Sequence, residues 1–117
     1  MKFICYPKCS TCKKARIFLT NHQIHFTERN IKEENPTVEE IKEWKEKADV
    51  PLRRFFNTSG MLYRQLHLKD KLDDMSSDEM IELLASDGMM VKRPVLVTDE
   101  FVLVGFKEKQ WEEKLTT

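Results

Sequence analysis

The chain has 117 residues, 20 of them basic and 20 acidic, so its formal net charge is zero. This length predicts one domain with a single core over residues 1–117, and the balanced charge gives no reason to expect direct nucleic-acid binding or attraction to a membrane surface. We expect a cytoplasmic location, because the sequence has neither a signal-like N-terminus nor an apolar run approaching the roughly 18 residues of a membrane helix.

The N-terminal quarter of the chain predicts a strand, a helix and a second strand. Phe3–Tyr6 is a short apolar run that ends at Pro7, and apolar residues recur at helical spacing from Cys12. Apolar and polar residues then alternate from Ile24 to Ile31, which is typical of a strand. Such a unit predicts two parallel strands joined by a right-handed crossover.

The motif Cys9-Ser10-Thr11-Cys12 falls at the turn between the first strand and the helix. A thioredoxin-type fold carries its redox pair at this turn. Free N–H groups and the helix dipole would stabilise the Cys9 thiolate there, and Lys8 and Lys13 add positive charge. We therefore predict that Cys9 is the catalytic nucleophile and that Cys12 is the resolving thiol.

Other interpretations of these cysteines are weaker. A zinc site would need His22 and His25, whose separation from Cys12 does not fit finger spacing, so we assign no metal. A structural disulfide across so short a loop would stabilise the fold little. Chance packing of two thiols is the remaining alternative. Cys5 lies in the first strand, and we interpret it as a small core hydrophobe without a role.

The middle of the chain predicts helices. Thr37 with Glu40, and Ser76 with Glu79, have the spacing of capping boxes ahead of apolar stripes. We place Gly88 at the end of the second of these helices. No strand-like run lies between the two boxes, so we expect a helical insertion over about residues 37–86.

The C-terminal part predicts a β-hairpin and a last helix. Val95–Thr98 and Phe101–Val104 are apolar runs joined by Asp99-Glu100, and the helix carries Trp111. The complete order of elements predicts an α/β fold of the thioredoxin-like, glutaredoxin-like kind. Its mixed β-sheet should have about four strands, with the helical insertion between its two halves.

Segments in order along the chain carry a family resemblance: Tyr6–Ala15, Phe56–Gly60 followed by Tyr63-Arg64, Leu84–Gly88, Lys92–Pro94 and Gly105-Phe106. They resemble the ArsC/Spx family of arsenate-reductase-like proteins, and specifically a short Spx-like or arsenate-reductase-like branch of bacilli. The likeness spans nearly the whole chain. Membership would imply a thioredoxin-like fold, whereas the activity within the family depends on details of the site.

The resemblance also implies roles for two arginines and a proline. Arg64 and Arg93 would bind an anion close to Cys9, and Pro94 would follow a cis peptide bond facing the redox pair. A guanidinium fork suits a tetrahedral oxyanion, and its charge would lower the pKa of the Cys9 thiol. Ordinary solvated surface charge is the alternative interpretation of both arginines.

These observations favour a thiol–disulfide oxidoreductase or redox sensor. It would use no bound cofactor, taking electrons from a thiol donor such as glutathione, glutaredoxin or thioredoxin, and its partner would be a thiol or disulfide protein or a small thiol. One alternative implied by the resemblance is an Spx-like regulator, switched by the same disulfide, that binds the C-terminal domain of the RNA polymerase alpha subunit. The other is arsenate reduction coupled to glutaredoxin or thioredoxin. The family's arsenate reductases carry Cys-x-x-Ser-Arg-Asn, and this chain has Cys12-Lys13-Lys14 in place of Ser-Arg-Asn. They also hold the oxyanion with a third arginine, near which this chain has Phe106-Lys107.

Overall fold

A four-stranded mixed sheet organises the computed structural model, which describes residues 1–116. The strand order is β2-β1-β3-β4, and the strands are β1 (Lys2–Cys5), β2 (Thr27–Asn30), β3 (Val95–Val97) and β4 (Val102–Val104). β1 pairs with β2 in parallel, whereas β3 is antiparallel to both β1 and β4. The predicted α/β class, thioredoxin-like sheet and C-terminal hairpin are therefore confirmed.

The parallel strands are joined by helix α1 (Ser10–Asn21), which confirms the predicted strand–helix–strand unit. β2 is shorter than the alternating run from Ile24 to Ile31 suggests. β1 has only four residues, and each pairs with one residue of β2, from Lys2 opposite Thr27 to Cys5 opposite Asn30. Beyond Asn30, the Ile31 N–H still donates to the Cys5 carbonyl at 2.9 Å, and β1 ends there.

Helices occupy the predicted insertion. They are α2 (Val38–Lys47), α3 (Met61–Gln65), α4 (Leu68–Lys71) and α5 (Ser77–Ser86), with short 3-10 turns between them. Residues 37–86 are all described, and no sheet strand lies among them; Phe56 makes only an isolated bridge to Val91.

Both predicted capping boxes form. The Thr37 hydroxyl accepts the Glu40 N–H at 3.1 Å and the Glu40 carboxylate accepts the Thr37 N–H at 3.1 Å. Ser76 and Glu79 make the same reciprocal pair at the start of α5. Arg29 on β2 also holds the Glu40 carboxylate with two donors, at 2.6 and 3.0 Å. The first box therefore also anchors the insertion to the sheet edge.

Gly88 does not end α5 as the sequence suggested. The helix ends at Ser86, and Gly88 opens a 3-10 turn whose N-cap is Asp87. A Cβ atom at Gly88 would lie 1.8 Å from the Ile31 carbonyl oxygen. Glycine is needed here because two backbone segments approach closely, rather than because a helix must end in a left-handed conformation.

The sheet buries side chains on both faces, because successive residues of a strand point to opposite sides. Ile4 and Val95 pack in the cluster that contains the helical insertion. Phe3, Cys5 and Leu96 pack in the cluster that contains α1 and the C-terminal helix. The strand that leads to the cysteine motif is thus fixed from both sides.

The last helix, α6 (Glu108–Leu115), closes the second cluster and confirms the predicted C-terminal helix. Trp111 is fully buried, and its indole N–H donates to the Gly105 carbonyl at 3.1 Å. Its ring meets Phe18 and Phe106 edge to face, so α6 is fixed against α1 and the end of β4. Within residues 1–116, no helix combines the length and apolar character needed to cross a membrane.

Candidate functional site

Cys9 occupies the N-cap of α1. Its backbone is extended, with φ −88° and ψ 124°, and its N–H donates to the Tyr6 carbonyl at 3.0 Å. Its own carbonyl accepts the Lys13 N–H at 3.1 Å, and the helix starts at Ser10, two residues earlier than the apolar spacing from Cys12 indicates. The thiol therefore stands where a serine or aspartate oxygen would normally cap the helix.

The donors that surround this position favour the thiolate of Cys9. Burial raises the pKa of the Cys9 thiol, but this effect is outweighed by the backbone N–H of Cys12, the Cys12 thiol, the Arg93 side chain and the Thr11 N–H, all of which lower it. The net pKa is lowered. Because Cys9 is only partly buried, the same sulfur is both activated and within reach of a partner.

Cys12 has the opposite character. It is fully buried, and its sulfur accepts the Tyr6 N–H at 3.4 Å. Its pKa is raised because its thiol hydrogen-bonds to Cys5 and because burial disfavours the charged form. The negative charge on Cys9 raises it further. All three thiols are free, and the two members of the motif are chemically unequal.

The third thiol, Cys5, adjoins this pair and lies in the core, as its interpretation as a small core hydrophobe predicts. Cys5 is fully buried, yet Arg16 Nη2 donates to its sulfur at 3.4 Å. Arg16 is held in place by Glu28, which accepts from Nε at 2.7 Å. The pKa of Cys5 is lowered, first by the hydrogen bond from Cys12 and then by Arg16, against the opposing effects of burial and Glu28.

A cleft of about 570 Å³ opens beside Cys9. Its walls come from the start of α1, from the turn before α3 and from the segment on either side of β3 and β4; they include Thr11, Asn57, Met89, Arg93 and Phe106. Lys92 and Lys107 also line it, and no acidic residue of the described chain does. The cleft therefore suits an anionic group next to the Cys9 sulfur.

Arg93 is the cation that reaches Cys9. Its guanidinium lies over the Tyr6 ring, 5.4 Å from the centroid, and Nη1 lies 3.8 Å from the Met89 sulfur. Its Nε atom is buried and has no hydrogen-bond partner among the described residues. A buried guanidinium nitrogen needs an acceptor, which an anion in the cleft could supply. The Arg93–Pro94 peptide bond is cis, as predicted.

The other predicted cations, Arg64, Lys8 and Lys13, are exposed and do not line the cleft. Arg64 is exposed and does not line the cleft; its Nη2 donates at 3.1 Å to the carbonyl of Ser59, which does. Lys8 and Lys13 are exposed, and the groups that lower the Cys9 pKa are Cys12, Arg93 and Thr11. The anion-binding role of Arg64 stays a prediction.

Sequence reasoning missed Cys5, Arg16, Tyr6 and Met89. One pattern could have found the first two: Arg16 follows Cys12 by four residues, so both lie on the same face of α1. A cysteine on the strand beneath that face would meet both. Nothing in the sequence pattern places Tyr6 or Met89 against Arg93.

Metal ligands do not converge here. Within the described part of the chain, no three His, Cys, Asp or Glu side chains are grouped so that they could hold a metal ion. His22, considered above as a zinc ligand, instead stacks on the Phe18 ring at 4.0 Å near the far end of α1.

Comparison with protein families gives a match to the ArsC family over residues 5–114. The curated relatives include the uncharacterized protein YusI of Bacillus subtilis, 53% identical over 113 residues, which cover 97% of this chain and 96% of YusI. They also include the global transcriptional regulator Spx of Enterococcus faecalis, 29% identical over 104 residues, which cover 89% of this chain and 77% of Spx.

Solved structures show the same fold. An ArsC family related protein from Bacteroides fragilis superposes with a TM-score of 0.94 at 50% identity, covering 96% of this chain and 94% of that one. A possible arsenate reductase from Streptococcus mutans gives a TM-score of 0.86 at 41% identity, covering 95% and 96%. The chain is thus related both to Spx-type regulators and to proteins described as arsenate reductases.

Proposed function

This chain belongs to the ArsC family, and we propose that it is a thiol–disulfide redox protein in which Cys9 attacks and Cys12 resolves. One observation carries the proposal. The partly exposed Cys9 sulfur stands at the N-cap of α1, where the nearby N–H groups of Thr11 and Cys12 lower its pKa, while a second thiol, Cys12, lies buried beside it. A lowered pKa in a partly exposed thiol is the mark of a reactive cysteine.

The first step is attack by the Cys9 thiolate on a disulfide sulfur of the partner. A mixed disulfide forms at Cys9, and the partner's other sulfur leaves as a thiolate. Attack also consumes the negative charge of Cys9, which is one cause of the raised Cys12 pKa. Cys12 is therefore easier to deprotonate after the mixed disulfide forms than before it.

In the second step Cys12 attacks the Cys9 sulfur. The Cys9–Cys12 disulfide forms, the bond from Cys9 to the partner breaks, and the partner leaves as a thiol after protonation. The protein is oxidised and the partner is reduced. A small thiol such as glutathione, or a protein dithiol such as glutaredoxin or thioredoxin, would return the pair to the reduced state.

Arg93 would bind an anionic group of the partner beside Cys9. Its Nε atom is buried without an acceptor, and Lys92 and Lys107 add positive charge to the same cleft. A carboxylate or a tetrahedral oxyanion matches a guanidinium fork. Arg64 is the second predicted contact and would act from the exposed edge of the turn that contains Ser59.

The relationship to Spx supports a second candidate function. A dithiol switch in a protein 29% identical to a transcriptional regulator could control binding to the C-terminal domain of the RNA polymerase alpha subunit. Arsenate reduction is the third candidate, favoured by the cationic cleft next to Cys9 and by the likeness to the Streptococcus mutans protein. Binding of the alpha-subunit domain before and after oxidation tests the second, and arsenate-dependent consumption of the thiol donor tests the third.

A trapping experiment tests the leading proposal. Cys12→Ser should keep the attack by Cys9 and accumulate a mixed disulfide with the physiological partner, which mass spectrometry would identify. Cys9→Ser is the matched control and should trap nothing. Equal trapping by both variants, or by neither, would show that the assigned order of attack is wrong.

A further inference from the structure

A third thiol lies against the resolving cysteine. Cys5 and Cys12 are buried in the same cluster, and Cys9 packs against it. Cys12 interacts with both of the other thiols, so it is the central member of a group of three sulfurs. The outer members differ, because Cys9 is partly exposed while Cys5 has no solvent-accessible surface. A group of this kind offers two disulfide pairings that share Cys12.

We propose that Cys5 is a third redox thiol. It would exchange with the Cys9–Cys12 disulfide to form a Cys5–Cys12 disulfide, which lies in the core of the protein. The inference rests on the proposed function, because Cys9 and Cys12 must first be oxidised to a disulfide. In the exchange the Cys5 thiolate attacks the Cys12 sulfur. The Cys5–Cys12 bond forms, the Cys9–Cys12 bond breaks, and Cys9 leaves as a thiolate. One disulfide is present before and after, so no further oxidant is needed.

Arg16 is the second observation in favour of this role. A cysteine that only filled space in an apolar cluster would need no cation, yet the Arg16 guanidinium donates directly to the Cys5 sulfur at 3.4 Å. The Arg16–Glu28 pair fixes the guanidinium there. Positive charge beside a buried sulfur favours the thiolate, which is the attacking form. Arg16 would thus serve as a positioning residue for the exchange.

The exchange would change what the oxidised protein can do. With the disulfide between Cys9 and Cys12, the exposed nucleophile is blocked. With the disulfide between Cys5 and Cys12, Cys9 is again a free, partly exposed thiolate at the N-cap of α1, and the disulfide is shielded from small reductants. The protein could then hold an oxidising equivalent while keeping its reactive thiol available.

Tryptic peptides distinguish the two pairings. Cleavage after Lys2, Lys8 and Lys13 puts Cys5 in the peptide Phe3–Lys8, and puts Cys9 and Cys12 together in Cys9–Lys13. A Cys9–Cys12 disulfide leaves these peptides separate, whereas a bond from Cys5 links them. The full-length protein would be oxidised with glutathione disulfide, quenched in acid, alkylated at free thiols and digested without reduction.

We expect linked peptides that carry an alkyl group on Cys9, in addition to the internally bonded Cys9–Lys13 peptide. Cys5→Ser should remove the linked species and leave the internal disulfide. Arg16→Gln should reduce the yield of linked peptides without removing the internal disulfide. Cys9→Ser should form the Cys5–Cys12 bond at least about tenfold more slowly than the wild type, because the easily oxidised Cys9 thiol is absent.

The other outcomes separate two failures. An internal Cys9–Cys12 disulfide with no linked peptides in the wild-type protein would overturn the role of Cys5 and leave the proposed function standing. Linked peptides that form equally fast in Cys9→Ser would show that the Cys5–Cys12 bond does not arise by exchange. No disulfide among the three thiols, in either the wild type or Cys5→Ser, would instead refute the proposed function.

Discussion

The two thiols of the motif, Cys9 and Cys12, should differ in their rate of alkylation at neutral pH. Serine variants that leave one of the two thiols in place allow each rate to be measured separately. Cys12→Ser leaves Cys9 as the partly exposed thiol of the motif, with the N–H donors of α1 still in place. Cys9→Ser leaves Cys12, which is fully buried and whose pKa is raised. Cys5→Ser in both backgrounds removes the third thiol from the measurement. Because Cys5 and Cys9 are then both absent, burial is the cause that still raises the Cys12 pKa in the Cys9→Ser background.

The size of the difference follows from thiolate populations. A free cysteine with a pKa of about 8.5 is about 3% thiolate at pH 7, so complete ionisation of Cys9 could raise its rate at most about thirtyfold. Loss of intrinsic nucleophilicity at lower pKa reduces that gain to roughly threefold. The raised pKa and burial of Cys12 act in the opposite direction. We therefore expect Cys9 to react at least about tenfold faster than Cys12 at pH 7.

The assay is the rate of iodoacetamide modification as a function of pH, followed by mass spectrometry. Because the pKa of Cys9 is lowered, its profile should rise at a lower pH than that of free cysteine and reach a plateau where the Cys12 profile is still rising. Denatured protein is the control and should give one common profile for both variants. A Cys12 profile that rises at lower pH than that of Cys9 would refute the assignment of roles.

Three further predictions test the cleft and its support. Arg93→Gln should weaken binding of sulfate, measured by calorimetric titration, by about tenfold, the value of one charge-assisted hydrogen bond; unchanged affinity would place the anion elsewhere. Gly88→Ala should lower the free energy of unfolding in urea by roughly 2–3 kcal/mol, because its Cβ would collide with the Ile31 carbonyl; a stability within error of wild type would show that the two segments separate easily. Glu40 has a lowered pKa because Arg29 holds its carboxylate. The Arg29–Glu40 pair therefore stabilises the fold fully at pH values above 4.5, the ordinary pKa of Glu, and this contribution is lost as the pH falls through the lower pKa of the folded state. In Arg29→Gln, the free energy of unfolding should fall less steeply between neutral and acidic pH than in the wild type. An unchanged pH dependence would show that other carboxylates cause the loss of stability in acid.

Local sequence patterns predicted most of the fold, because each pattern corresponds to contacts within a few residues. The capping boxes at Thr37 and Ser76 are satisfied by groups three residues away. The hairpin and the position of Cys9 at the start of α1 also depend on neighbours in the chain. These features follow from the order of residues alone.

Features that depend on packing between distant segments could not be predicted in this way. Gly88 is required by the Ile31 carbonyl, which lies far away in the sequence. Whether Arg64 or Arg93 reaches Cys9 depends on how the turn before α3 and the segment before β3 pack around α1. Helical spacing placed Cys12 and Arg16 on one face, but only the packing of β1 under α1 brings Cys5 to that face.

Burial explains why the two cysteines of the motif act in a fixed order. Cys9 can meet a partner because the N-cap of α1 faces the cleft, whereas Cys12 lies one turn inside with no accessible surface. A thiol that solvent and partners cannot reach is a poor first nucleophile. It is nevertheless well placed to attack the Cys9 sulfur once that sulfur is bonded to a partner, because the sulfurs of Cys9 and Cys12 are neighbours. The same argument applies one step deeper to Cys5, which can reach only Cys12 and can therefore join the chemistry only after Cys12 has been oxidised.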